Sequence, residues 1–265
     1  MEKIFRFAVR RPVLIKVLLT LFPVLPLAVI LAGTNISDLL RYEVIFLLVF
    51  LIFLSVNLSV KFLMDPKVRA LNRNCDPIPL LEITGFLLTC RQPPAYRIAA
   101  SMNHALALRD LGHCDEALKI MESIDWSRPR RIPPMVKFVY FHNSADMMDH
   151  LGRTEEADAL HAQAMQTYTA LPRRARSVLE ISTRFARASA HCRHGEFSDA
   201  VSVLQDLVCT NPRQQVERGM LLARCAIALG QPQQAEEWLR YVMEHGNRLH
   251  VVQEARSILE NMENI

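Results

Sequence analysis

Two long apolar runs open the chain, and helix-periodic sequence follows them. Pro12 to Ala32 reads PVLIKVLLTLFPVLPLAVILA and Val44 to Leu63 reads VIFLLVFLIFLSVNLSVKFL. Each is close to the roughly 20 residues that a helix needs to cross a hydrocarbon core. Lys16 lies near the end of the first run, within snorkelling reach of headgroups, and Pro23 and Pro26 are kink positions that membrane helices tolerate. Ser55, Asn57 and Ser59 interrupt the second run, where Asn57 reads as an interhelical hydrogen bond. Further on, apolar positions recur at helical spacing, as in Leu106, Leu108 and Leu111, then Leu118, Met121 and Ile124. The same holds for Leu221, Leu222 and Leu229, followed by Trp238, Leu239 and Val242. No segment alternates with the period of a strand over a useful length. The pattern predicts an all-α chain: a transmembrane helical hairpin within 1–64 (spans about 12–32 and 44–63), a linker and half-repeat helix over 65–92, four helical hairpins over 93–247, and a capping helix over 248–265.

The flanking charges predict the orientation. Lys3, Arg6, Arg10 and Arg11 precede the first run and Lys61, Lys67, Arg69 and Arg73 border the end of the second, whereas the connector GTNISDLLRYE holds only Arg41. The positive-inside rule then puts both termini in the cytoplasm and the connector outside. If residues 1–33 were instead a cleaved signal peptide, the second run would act as a stop-transfer segment and leave the rest of the chain on the same side. A short N-terminus ahead of a two-span hairpin has the style of a bacterial inner-membrane protein.

Charge adds little beyond this. Residues 1–64 hold seven of the 31 Lys and Arg and three of the 27 Asp and Glu, which leaves 24 of each sign in the remainder. The net charge of +4 therefore belongs to the apolar N-terminal part, and the remainder has no global electrostatic reason to seek nucleic acid. Six cysteines (75, 90, 114, 192, 209, 225) follow the apolar runs without CxxC or other ligand-like spacing, and are expected as reduced thiols.

Inside the periodic part the chain repeats itself: LGHCDEA at 111–117 returns as LGRTEEA at 151–157. Gly112, Gly152, Gly195 and Gly230 each have Ala seven residues before (Ala105, Ala145, Ala188, Ala223) and five after (Ala117, Ala157, Ala200, Ala235). Half of the chain's eight glycines obey this two-sided rule. It is the signature of a helical hairpin, in which glycine ends the first helix in the left-handed conformation and small facing residues let the helices approach closely. The units recur at 40, 43 and 35 residues along the numbering, with longer helices or linkers such as WSRPRRIPP (126–134) taking up the difference.

On these residues the chain resembles the tetratricopeptide repeat family. Ala117 to Met121, Ala200 to Leu204 and Ala235 to Leu239 match the family's step from Ala to a large residue four positions on, and Pro129 and Pro212 sit where its closing proline belongs. Departures are the spacing, His161 in place of the large residue after Ala157, and the family's Leu before the small residue, kept at Leu222 but replaced by His104, Ser144 and Arg187. The resemblance implies an α-solenoid that displays polar residues of its first helices to a protein or peptide partner. Asn103 and Asn143 match positions at which some members grip a carboxylate tail, but Met102 and Leu106 stand where the companion Lys and Asn would be needed.

Motifs for catalysis are absent: no glycine-rich phosphate loop, HExxH or GxSxG, and no Cys/His set at metal spacing. No enzyme activity and no cofactor are expected. The strongest polar candidates are a stripe of His142, Asp146 and Asp149 with His150 beside them, and a basic strip of Arg184, Arg187 and Arg193. The stripe reads as a partner-binding face, with a metal-bound enzyme or regulatory subunit as the alternative. The strip reads as a dock for an acidic segment or anionic headgroups, or as a solvated face paired with Glu180 and Glu196. Aromatic residues are not interleaved with it, so nucleic acid is not expected.

Overall fold

In the computed structural model the described residues are 63–127 and 132–263, together with Glu43 and Phe46. Both predicted spans fall outside them apart from Phe46 and Leu63, and no helix among the described residues is long and apolar enough to cross a membrane. The chain divides into two compact units, residues 1–67 with 89–91, and residues 68–88 with 92–265. The helices from residue 94 onward all lie in the second.

The described residues are all-helical: eleven helices and no strand. Helix α1 covers 63–74 and α2 covers Ile78–Thr89. Four antiparallel hairpins follow: α3 (Pro94–Asp110) with α4 (Cys114–Glu122), α5 (Pro134–His150) with α6 (Thr154–Thr169), α7 (Arg173–Arg193) with α8 (Phe197–Gln205), and α9 (Pro212–Ala228) with α10 (Pro232–His245). Helix α11 (Val251–Glu263) follows the fourth hairpin.

The four hairpin turns are the same object. Gly112, Gly152, Gly195 and Gly230 have φ of 89°, 71°, 75° and 68°, the left-handed region that only glycine enters without strain. In each, the glycine N–H bonds the carbonyl three residues back and the next N–H bonds the carbonyl five residues back, as in Gly112 to Arg109 (2.8 Å) and His113 to Leu108 (2.9 Å). That pair of bonds closes the open carbonyls of the first helix in a Schellman motif. The residue after glycine then accepts from the alanine four positions on, at 3.0 Å in all four turns, and so starts the second helix. All eight facing alanines are buried.

Proline sets the other end of the first helices. Pro94, Pro134 and Pro212 each open their helix 18 residues before the turn glycine, where a missing N–H costs nothing. Helix α7 starts at Arg173 behind Pro172 and is 21 residues long where the other three first helices are 17, which with the 16 residues of α6 accounts for the longest unit spacing.

The core is continuous because each second helix packs on the next first helix. Ile98, Met102, Ala105 and Leu108 of α3 meet Ala117 and Met121 of α4 and Met147 of α5. Leu118 of α4 then meets Met148 and Ala157, and Phe138 meets Ala164, Leu171 and Leu179. Phe185 and Ala188 of α7, Leu204 of α8, and Leu221 and Leu222 of α9 carry the core into the fourth hairpin. Helix α2 joins the first hairpin through Thr84, whose hydroxyl lies 2.8 Å from His104 Nδ1. Burial holds the His104 ring below its ordinary pKa.

The array curves until its ends meet, which a simple capping role for the C-terminal helix does not require. The His250 N–H donates to the Asp110 carbonyl at 2.8 Å, the Arg248 N–H to the Cys75 carbonyl at 3.3 Å, and the Asn247 amide to the Asn74 carbonyl at 2.7 Å. The lead-in to α11 therefore rests on the first hairpin through His250 and on the segment before α2 through Asn247 and Arg248, while α11 itself packs on the fourth hairpin.

Candidate functional site

Closure turns the concave side of the array into a cavity of about 600 Å³. The ends of the first helices line it, because a right-handed helix brings positions i, i+3 and i+4 to one face. Counted from each turn glycine, the lining residues recur six, three and two positions before it: Asp146 and Arg224, then Arg109, Asp149 and Cys192, then Asp110, His150 and Arg193. Arg213 enters from the start of α9, and His250 and Glu254 from the C-terminal segment.

These groups pair across hairpins. Arg109 donates to Asp110 at 2.6 and 3.0 Å and to Asp146 of the second hairpin. Arg213, 103 residues further along the chain, grips the same Asp110 with two nitrogens at 2.7 and 3.0 Å. Such a fork is the geometry in which arginine recognises a carboxylate best. Arg193 of the third hairpin reaches Asp158 at 2.9 and 3.1 Å and Asp149 at 3.4 Å, and Arg224 reaches Glu254 of α11 at 2.6 Å.

Burial makes the pairing obligatory. It would push the Asp110 carboxyl up, but Arg213 and Arg109 outweigh it and hold the group below its ordinary range. The same competition, with Arg109 as the main partner, holds Asp146 well below its ordinary range as well. Arg109 is raised well above normal: burial opposes the charge, and Asp110 and Asp146 overcome it. At Asp149 burial wins over Arg193, with Asp146 adding repulsion, so that carboxyl is pushed up.

Of the predicted partner-binding residues, Asp146, Asp149 and Arg193 line this cavity. His142 stacks on Phe138 with ring centroids 5.8 Å apart, and burial lowers its pKa to about 4. Asn143 is buried and Asn103 donates to the Ala99 carbonyl of its own helix at 2.8 Å. The three arginines of the basic strip part company: Arg184 caps α8 by donating to the Val203 and Asp206 carbonyls at 2.9 and 3.1 Å, Arg193 is enclosed by aspartates, and Arg187 is exposed.

His142, Asp146 and Asp149 do not converge as a ligand set either. Among the described residues the group that brings three ligand atoms within 4.8 Å of one another is His191, Glu196 and Asp199, of which Glu196 and Asp199 are exposed. None of the six cysteines is in a disulfide.

Arg109, Asp110, Arg213, Arg224 and Glu254 escaped the reading of the sequence. Laying the four units over one another by their turn glycines would have exposed the recurrent lining positions, since Asp or Arg fills six of the twelve. The partners Arg213 and Glu254 lie outside those positions and carry no such signal. No family model, curated protein or solved structure matches the chain.

Proposed function

We propose that this chain is a membrane-tethered binding module, similar to tetratricopeptide repeat proteins, whose concave cavity receives a basic segment of a partner protein. The observation that carries the reading is the cavity itself. Its volume of about 600 Å³ is in the range of sites that enclose a small ligand or a short side-chain-bearing segment. Arg109, Arg193, Arg213 and Arg224 face six carboxylates there, so the lining keeps an acidic excess after every arginine is paired. An entering Lys or Arg meets carboxylates already fixed in place, which lowers the ordering cost of binding.

The tether rests on the two apolar runs of about 20 residues and on the basic residues that flank them. It would confine binding to the cytoplasmic face of the membrane and raise the effective concentration of partners there.

A photocrosslinking residue at His150, an exposed residue of the cavity lining, tests the reading in cells. The expected crosslinked peptide is rich in Lys and Arg and is lost when Glu254 is changed to Lys. Capture that is indifferent to this reversal, or equal from the outward-facing Val208, refutes it.

A further inference from the structure

Two thiols lie in contact on the cavity wall. Cys192 of α7, three residues before the turn glycine Gly195, faces Cys225 of α9 with the sulfur atoms 3.4 Å apart. Cys192 lines the cavity and is partly exposed, whereas Cys225 sits behind it, fully buried. Their helices belong to consecutive hairpins, and 33 residues of chain separate them. A disulfide needs sulfurs about 2.05 Å apart, so the closure required is about 1.4 Å, within reach of side-chain rotation and a small helix shift.

We infer that Cys192 and Cys225 form a peroxide-sensitive dithiol, with Cys192 as the attacking thiol and Cys225 as the resolving one. The Cys192 thiolate attacks one oxygen of a hydroperoxide; the O–O bond breaks, a sulfenic acid forms on Cys192, and the departing oxygen leaves as water or alcohol after taking a proton. The Cys225 sulfur then attacks the Cys192 sulfur, the S–O bond breaks, and the hydroxide takes the Cys225 proton as a second water. Two thiols are oxidised by two electrons and one peroxide is reduced. The product ties the first helices of the third and fourth hairpins together along the cavity wall.

The surroundings divide the labour in the same sense. A hydrogen bond from Cys225 lowers the pKa of Cys192 and, by the same bond and by burial, raises that of Cys225. Burial and the Asp149 carboxylate oppose the shift at Cys192, and the positive charge of Arg224 and Arg193 works with the hydrogen bond against them. Burial pushes Cys75, Cys114 and Cys209 up, Cys114 to about 11, so these thiols serve as internal controls. Small soluble oxidants reach Cys192 through the cavity without unfolding. In a reducing compartment such a pair would be transient, which is the usual state of disulfides there.

The test treats the full chain with hydrogen peroxide, blocks free thiols, and maps the products by mass spectrometry. The expected product is a Cys192–Cys225 linked peptide, reversed by dithiothreitol and formed about ten-fold faster than any change at Cys209. Cys225→Ser should leave a sulfenic acid at Cys192 that dimedone traps, and Cys192→Ser should abolish the fast phase. Oxidation of Cys209 at the same rate, or loss of thiols without the linked peptide, overturns the proposal. The native chain alone decides this, so a variant that fails to fold does not shield it. Partner capture is a separate readout, and either result leaves it standing.

Discussion

Alanine at the turn glycines tests whether the array closes on itself. The four positions share one left-handed backbone conformation, so an added methyl strains each by a similar amount, about 1 to 2 kcal/mol. Their surroundings differ. At Gly152, Gly195 and Gly230 the new Cβ meets nothing within 4 Å, whereas at Gly112 it would lie 2.6 Å from Nδ1 and 2.7 Å from Cγ of His250. Cγ sits one bond from the His250 Cβ and cannot swing far, because the His250 N–H is held by the Asp110 carbonyl at 2.8 Å. Making room is an overpacking cost of about 1 to 3 kcal/mol on top of the backbone strain. Gly112→Ala is therefore expected to lose about 2 to 5 kcal/mol, and Gly152→Ala and Gly230→Ala about 1 to 2. His250→Ala in the Gly112→Ala background should return the loss to that of the other turns. Urea unfolding followed by far-ultraviolet circular dichroism measures all of these. If Gly112→Ala costs no more than Gly230→Ala, or if His250→Ala brings no relief, the C-terminal segment does not rest on the first turn and the closure argument fails.

Other expectations follow from the cavity network and the helix ends. Asp110→Ala leaves two buried guanidiniums without their shared carboxylate and should cost about 3 to 5 kcal/mol in urea unfolding, whereas a double change with Arg213→Met should cost less than the sum. His142 stays neutral in the fold, with its pKa moved down from 6.5 to about 4. Its contribution is thus fully present above 6.5 and lost as pH falls through the folded value, up to about 3 kcal/mol, so the native chain should lose more stability than His142→Gln between pH 7 and 4. Arg184→Ala removes two bonds to the end of α8 and should cost about 1 kcal/mol, while Arg187→Ala at an exposed site should cost less than about 0.5 kcal/mol. Equal effects from the two arginines would point back to a shared strip.

The turns were legible because their physics is local. A left-handed residue favours glycine whatever surrounds it, and helices in close contact favour alanine, so eight alanines and four glycines at fixed offsets announce four hairpins. The prolines 18 residues before three of those glycines carry an equally local signal. The His142, Asp146 and Asp149 stripe shows where local reasoning stops. Helical spacing does put Asp146 and Asp149 on the cavity side, but which group each carboxylate faces depends on Arg109 and Arg193 from other hairpins.

By itself, then, the sequence determined that the region after the apolar runs is helical, where its turns fall, and which small residues let paired helices touch. Hydrogen bonds within a turn and contacts within a hairpin span few residues, and their chemistry is written at neighbouring positions. The tertiary structure alone decided that the array curves enough for Arg213 to reach Asp110, that His250 covers the first turn, and that Cys192 meets Cys225. Curvature is the sum of small rotations between successive hairpins, each set by side-chain packing along a whole interface, and no single residue pattern encodes that sum.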